Sequence, residues 1–499
     1  MSSAIPIEKV AAIDLGSNSF HLLVARFVDG QLHVIDRLRQ RVMLAAGLDA
    51  QGRLSEDVQE RALECLRQFN QHLEHMPQSS VRAVGTNTLR QARNARSFLA
   101  RARTALGQPI EVISGPEEAR LIYLGVAHDL ASRSGRRLVI DIGGGSTECI
   151  LGEQFDPMRA DSLYIGCVSH TLRFFPNGRI RKSDFDRAVI QAKLEFNTIE
   201  RHYHVLGYDE CIGSSGTILA ADQVLKANGW SKSGITLKGL RKLRKALIEA
   251  GQIDKLNING LPPDRGPVFP GGVAILIAAF ESLGIQEMTS SLGALREGLI
   301  YDLIGRFEQE DIRDETIRRF VERYHVDIEQ ASRVQRTSIA LLRQAASTWE
   351  LPIEEGARYL AWASRLLEIG LSLSFRGYQK HSAYIITHAD MPGFSQEDQN
   401  FLAALVLSHR RKIALSQFRT LAADKAREAL RLCIVLRLAV RLHRSRSPEP
   451  LPRVAFTVND THLGLEFPED WLDAHPLTHA DLDDERVRLQ GLGLELTFR

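Results

Sequence analysis

Two stretches of the chain spell nearly the same hydrophobic pattern. Ala12-Ile-Asp-Leu-Gly-Ser-Asn-Ser-Phe20 and Val139-Ile-Asp-Ile-Gly-Gly-Gly-Ser-Thr147 each run apolar into a carboxylate, break at a glycine loop and resume as a second apolar run. Short runs rich in β-branched residues and bounded by glycine read as strands, so both loops are expected between two strands. Asp14 aligns with Asp141, Gly16 with Gly143 and Ser19 with Ser146, and an internal repeat of this kind signals a duplicated architecture.

The pattern around the two copies alternates strand and helix. Strands are predicted over 21–27 and 31–35 around a turn at Asp29 and Gly30, and over 81–84 and 110–113. Apolar Val58, Ala62, Leu63, Leu66 and Phe69 share one face of a helix over 55–73. Further helices are predicted from Gly85, from Ser114 (where Pro116 suits a first turn), over 184–203, from Pro270 and from Ser290. A third strand and small-residue loop, Glu210-Cys-Ile-Gly-Ser-Ser-Gly-Thr217, lies among them. From 311 to about 442 the spacing is helical, 445–450 reads as a linker, and 453–458, 463–467 and 494–498 alternate like strands. The expected domains are therefore 1–124 and 125–308 as two α/β lobes, 309–445 as a helical domain and 446–499 as a small β-rich terminal domain.

Bulk properties narrow little beyond this. A chain of 499 residues exceeds one hydrophobic core, and a net charge of +2 leaves only local basic clusters to say anything of partners. Neither an N-terminal leader pattern nor a membrane span is expected, which makes cytoplasm the default location. Five scattered cysteines inside apolar runs fit reduced core residues and not disulfides or zinc ligands.

The loops carry the chemistry. Gly143, Gly144 and Gly145 let backbone N–H groups approach an anion closely, Ser146 and Thr147 add hydroxyls, and Asp14, Asp141 and Glu148 are candidate ligands of a cation. Gly16, Ser17 and Asn18 repeat the cradle, and Gly213, Ser214, Ser215 and Gly216 offer a third. Neither a P-loop lysine nor a helix directly after the glycines is present, so these are not nucleotide-binding loops of the P-loop or Rossmann kind. Arg90 and Arg93, three apart on an expected helix, are candidates to grip further phosphates. Two facing loops would clamp one polyphosphate-like ligand between two lobes.

The duplicated strand–loop–strand device resembles the actin, Hsp70 and sugar-kinase fold. Residues 366–373 and 380–384 resemble the helical HD phosphohydrolases, with Leu367 where the metal-binding His-Asp pair would begin. Taken with Gly85-Thr-Asn-Thr-Leu-Arg90, Ser114-Gly-Pro-Glu-Glu-Ala-Arg120 and Gly293-Ala-Leu-Arg-Glu-Gly298, the loops closely resemble the exopolyphosphatase and guanosine pentaphosphate phosphatase family across the whole chain. The resemblance implies Mg2+-dependent hydrolysis of the terminal phosphate of inorganic polyphosphate, stimulated by K+, with Glu118 as catalytic base; guanosine pentaphosphate is the alternative substrate. A homodimer is expected, and neither nucleic acid nor a membrane is. Polyphosphate stands first on the three glycines and on the basic cluster His409-Arg-Arg-Lys412, and Lys380, His381, Arg410, Arg411 and Lys412 are expected to lie along the path of a long polyanion. A nucleotide-switched binding protein of the actin and Hsp70 kind is the minor alternative.

Overall fold

The computed structural model describes residues 9–28, 31–130, 135–307 and 311–499, and the turn expected at Asp29 and Gly30 lies outside them. The chain divides into two compact units, Met1–Asp311 and Ile312–Arg499.

The first unit is the duplication foreseen in the loops. Strands β1 (Val10–Leu15), β2 (Ser19–Val28), β3 (Gln31–Arg41), β4 (Val81–Gly85) and β5 (Ile110–Val112) form one sheet in the order β3-β2-β1-β4-β5. Strands β6 (Arg136–Ile142), β7 (Thr147–Glu153), β8 (Asp156–Leu163), β9 (Glu210–Ser214), β10 (Ile235–Thr236) and β11 (Glu287–Ser290) form the other, in the order β10-β11-β9-β6-β7-β8. The second sheet repeats the first with β10 added at the edge: an antiparallel meander followed by two parallel crossover strands in each. Register repeats as well, since Asp14 faces His21 across β1 and β2 and Asp141 faces Glu148 across β6 and β7.

Each sheet buries one face under its own helices. Phe20, Leu22, Leu63, Leu66 and Phe69 belong to the first core, and Ile140, Phe185, Phe196 and Ile275 to the second. The other faces meet in a shared core, where Ala12, Val84, Val139 and Ile212 pack with the helices Gly115–Asp129 and Leu295–Phe307. These two helices touch backbone to backbone. A Cβ on Gly125 would lie 2.2 Å from the Ala294 carbonyl oxygen, and one on Gly298 would lie 1.8 Å from that of Leu121, so any side chain at either position would force them apart.

One stretch, Gly266–Leu283, is apolar and long enough by composition to cross a bilayer, contrary to the expectation of none; 83% of it is buried as a core helix of the second lobe.

The second unit is built mainly of helices between Ile312 and Leu442, followed by β12 (Ala455–Val458), β13 (His462–Glu466), the helix Pro476–Gln490 and β14 (Glu495–Phe498). β12 pairs antiparallel with β13 and β13 parallel with β14. Phe456, Leu463, Leu465, Leu482 and Leu496 join one core with Leu360, Leu402 and Leu436, so the terminal segment is continuous with the helices in packing.

Candidate active site

The glycine loops of the two lobes meet. A Cβ on Gly144 would lie 2.9 Å from that of Ser17, and one on Gly145 would lie 2.6 Å from Asn87 Oδ1; only glycine lets the second loop settle on the first. The loop is fixed from behind by its own backbone, with Gly143 N–H donating to Ser146 O at 2.9 Å and Cys167 and Val168 donating to Gly143 O and Gly144 O at 2.9 and 3.0 Å. On the other side Thr88 Oγ1 donates to Ser17 Oγ at 2.8 Å. The loops open onto a cleft of about 370 Å³, lined by Asp14, Gly16, Ser17, Asn18, Gly143 and Gly144 among others. Ser146, Ser214, Ser215 and Gly216 also line it.

The neighbouring acids of the Glu-Glu-Ala-Arg motif go to different places. Ser114 caps the helix Gly115–Asp129 by accepting from Glu117 N–H at 3.2 Å, and Pro116 stands in the first turn as expected. Glu117 then turns into the protein, accepting from Arg120 at 2.8 and 2.9 Å within a buried network with Arg82 and Asp302. Glu118, one residue on, lines the cleft and accepts from Arg90 Nη1 at 2.8 Å.

Four carboxyls crowd this region, and burial pushes each of them above its ordinary range. Burial, then Glu118 and Asp141 nearby, pushes Asp14 up to about 8. Burial, opposed by the Ser214 hydroxyl and reinforced by Glu118, pushes Asp141 up to about 6. Glu148 is raised well above the ordinary range by burial and by Glu118, whereas Glu118 is raised by burial and drawn back by Arg90. Asp14 Oδ1 and Glu148 Oε2 are buried without a hydrogen-bond partner. Unsatisfied buried carboxylate oxygens that repel one another are the donor set a hard divalent cation satisfies. Among the described residues no three His, Cys, Asp or Glu side chains form a ready-made metal site, so a cation here would complete its shell with water and ligand oxygens.

Several sequence-predicted residues do other work. Arg93 is exposed and outside the cleft: the helix Asn87–Gln91 ends before it because Ala92 is extended, and Asn94 is anchored through its side chain to Leu54 N and O at 2.8 and 3.0 Å. Arg90 and Arg93 therefore do not share a helical face, and Arg90 is engaged by Glu118 and by Ile113 O at 2.9 Å. Thr147 donates its hydroxyl to Ile165 O at 2.7 Å, so it is not a free donor. Gly213 serves packing, since a Cβ there would lie 2.4 Å from Ile218 and 2.5 Å from Met288. Lys380, His381, Arg410, Arg411 and Lys412 belong to the second unit.

The cations that do line the cleft are Arg37, Arg39, Arg265 and Arg296, of which only Arg296 stands in a quoted motif, Gly293-Ala-Leu-Arg-Glu-Gly298. Arg265 approaches the third loop so closely that a Cβ on Gly216 would overlap its guanidinium. Burial first, then these four arginines, push His21 down to about 3, leaving it neutral beside Asp14. Sequence spacing could not find this cluster, because β3, the loop before Phe269 and the start of the helix Leu295–Phe307 bring it together from distant segments.

The geometry is matched by known proteins. Residues 23–307 match the model of the Ppx/GppA phosphatase family, and residues 312–486 match that of Ppx/GppA phosphatase, domain III. The chain belongs to the Ppx/GppA phosphatase family. This Ppx/GppA phosphatase is 41% identical over 483 residues to a guanosine-5'-triphosphate,3'-diphosphate pyrophosphatase of Aeromonas hydrophila, covering 97% of both chains. It is 40% identical over 499 residues to the protein of the same name from Vibrio cholerae, covering 100% of this chain and 99% of that one. Among solved structures it resembles an exopolyphosphatase from Cytophaga hutchinsonii, with a TM-score of 0.54 and 25% identity over 60% of this chain and 98% of that one. It also resembles the Aquifex aeolicus PPX-GPPA enzyme, with a TM-score of 0.50 and 28% identity over 58% and 98% of the two chains. As a Ppx/GppA phosphatase the chain is a hydrolase of phosphoanhydride bonds on the actin-like fold.

Proposed function

We propose that this chain hydrolyses the 5'-terminal phosphate of guanosine pentaphosphate. The observation that carries the reading is likeness along the whole length: relatives sharing about two residues in five with 97–100% of this chain bear the name guanosine-5'-triphosphate,3'-diphosphate pyrophosphatase, whereas the likeness to an exopolyphosphatase covers 60% of it at 25% identity. This reverses the order expected from the glycines and the basic cluster, features that any phosphate chain could use. Leu292, 62% exposed and lining the cleft, gives support, because a nucleoside has use for apolar surface and a bare polyphosphate has none.

In this reading the backbone of Gly16, Ser17, Gly143 and Gly144 holds the terminal phosphate, and Arg265 with Arg296 neutralises the phosphates behind it. Glu118, ionised beside Arg90, takes a proton from water as the water oxygen bonds to the terminal phosphorus. The bond from that phosphorus to the bridging oxygen breaks, and inorganic phosphate leaves with the guanosine tetraphosphate. Asp14, Asp141 and Glu148 would hold Mg2+, directly or through water, which would supply neutralisation of charge on the phosphate oxygens. The decisive experiment measures kcat/KM for phosphate release from guanosine pentaphosphate and from long polyphosphate side by side. The nucleotide is expected to be preferred, and a tenfold advantage for polyphosphate would sink the reading. Arg265→Ala removes a charge-assisted contact and is expected to raise KM for the nucleotide about tenfold or more.

Protonation sets the pH dependence of the cation. Asp14 and Asp141 hold their protons more tightly in the fold than in the unfolded chain, so their ionisation costs stability as pH rises from their ordinary range through about 6 and about 8. A cation that needs both carboxylates ionised competes with those protons. Apparent Mg2+ affinity, read from protection against thermal unfolding, is expected to rise between pH 6 and 8, and Asp141→Asn should weaken it and flatten the lower part of the rise. A pH-independent affinity would remove both groups from the coordination sphere.

A further inference from the structure

A sizeable cavity lies wholly within the second unit. It has a volume of about 940 Å³, and seven basic side chains line it against two carboxylates, Glu368 and Asp484. Four of the seven are already occupied: Arg441 and Arg444 bond Asp481, Arg446 bonds Asp327 and Glu368, and Arg488 bonds Asp484 at 3.5 Å. The other three are consecutive. Arg410 lies over the Tyr378 ring at 4.7 Å, while Arg411 and Lys412 are exposed and make no ion pair among the described residues.

The loop that presents these three is rigidly built. Beneath it Arg437 is completely buried, held by Glu485 at 2.5 and 2.8 Å, and it spends its remaining donors on the loop's carbonyls, Ser408 O and, at 2.9 Å, Arg411 O. Arg411 sits at φ 57°, a left-handed conformation that a non-glycine residue keeps only where surrounding structure enforces it. His409 is buried and bonded through Nδ1 to Val406 O at 2.6 Å. A merely solvated charge run needs none of this. Arg437, Glu485 and His409 thus fix a strained turn whose effect is to aim uncompensated cations at a cavity, the arrangement of a preformed anion site. On the same cavity wall stands Phe375, 78% exposed, its ring 6.4 Å from that of Tyr378.

We propose that this cavity is a second, non-catalytic site that binds a nucleoside diphosphate or triphosphate, its phosphates on Arg411 and Lys412 and its base on Phe375. Volume and chemistry agree: mononucleotide-sized ligands fill pockets of about 300–1,000 Å³, and an exposed aromatic face beside free cations suits an anion that carries a ring. A bare phosphate chain would leave Phe375 without a partner.

The test uses the full-length chain, with GDP as the nucleotide and pyrophosphate as the same anion without a base. Hydrogen exchange of residues 409–413 and 375–378 is expected to slow when GDP is added, and to do so equally in Arg265→Ala, whose lesion lies in the catalytic cleft. Arg411→Ala combined with Lys412→Ala should abolish that protection and weaken GDP binding to this site about tenfold or more. Phe375→Ala should weaken GDP about fivefold or more and leave pyrophosphate unchanged. Absence of protection in these segments of the wild-type chain overturns the proposal. So does protection by GDP and pyrophosphate alike with Phe375→Ala silent, which would mark a plain phosphate site.

Discussion

Glu118→Gln lowers turnover by at least about a hundredfold while substrate affinity changes little, because the amide keeps the shape of the carboxylate but cannot take a proton from water. Its sequence neighbour provides the control. Glu117 belongs to a buried ion network and does not line the cleft, so Glu117→Gln should act on stability first and on turnover only through it. Steady-state kinetics on both variants, with thermal unfolding measured in parallel, separates the two. Near-normal turnover in Glu118→Gln together with an inactive but fully stable Glu117→Gln would show that the other carboxylate is the base.

The second large effect is on the fold. Asp302 lies in the helix Leu295–Phe307, almost fully buried, and it is the common partner of Arg82 on β4, Arg120 on the helix Gly115–Asp129 and Arg306 one turn along. Asp302→Ala leaves Arg82 and Arg120 buried with less negative charge than they need. Removing one partner of a buried ion pair costs about 3–5 kcal/mol, far more than the intact pair contributes over an apolar substitute. The unfolding transition of the first unit should therefore fall by about that amount in denaturant, and a loss under about 1 kcal/mol would mean that solvent reaches these groups freely. The sign of the pH effect follows from the same contacts. Despite the cost of burial, the arginines hold the Asp302 carboxyl far below its ordinary value, so its contribution is fully present above the unfolded carboxylate range and is lost as pH falls through and below it. Wild type should thus lose stability on acidification more steeply than Asp302→Ala.

How much of this was readable beforehand depends on whether a feature is local. The two glycine loops, the strands that carry them and the capped helix of Glu118 were legible because each is written in a dozen consecutive residues, and a duplicated fold followed from their alignment. Arg93 misled because helical spacing was extended past Gln91, where the Asn94 anchor to Leu54 overrides propensity. Gly213 misled for a different reason: a glycine beside serines reads as a cradle, but the space it leaves is filled by Ile218 and Met288 of the core. Of the arginines of the cleft only Arg296 stands in a recognisable motif, since Arg37, Arg39 and Arg265 each look like an ordinary surface cation until the sheets close. The basic run at Arg410 to Lys412 was visible as composition, but its strained turn and the buried Arg437 beneath it come from residues far along the chain.

The glycine crossing of Gly125 with Gly298 ties two parts of the chemistry to one rigid body. One helix carries Glu118 three residues from its start; the other carries Arg296 in its first turn. With backbone resting on backbone at the crossing, no side chain is there to slide or change rotamer. Any breathing of the lobes must then carry the water-activating carboxylate and that guanidinium along together, as two jaws of a caliper locked at one setting, so that opening for product release changes what the cleft admits without changing the spacing between them.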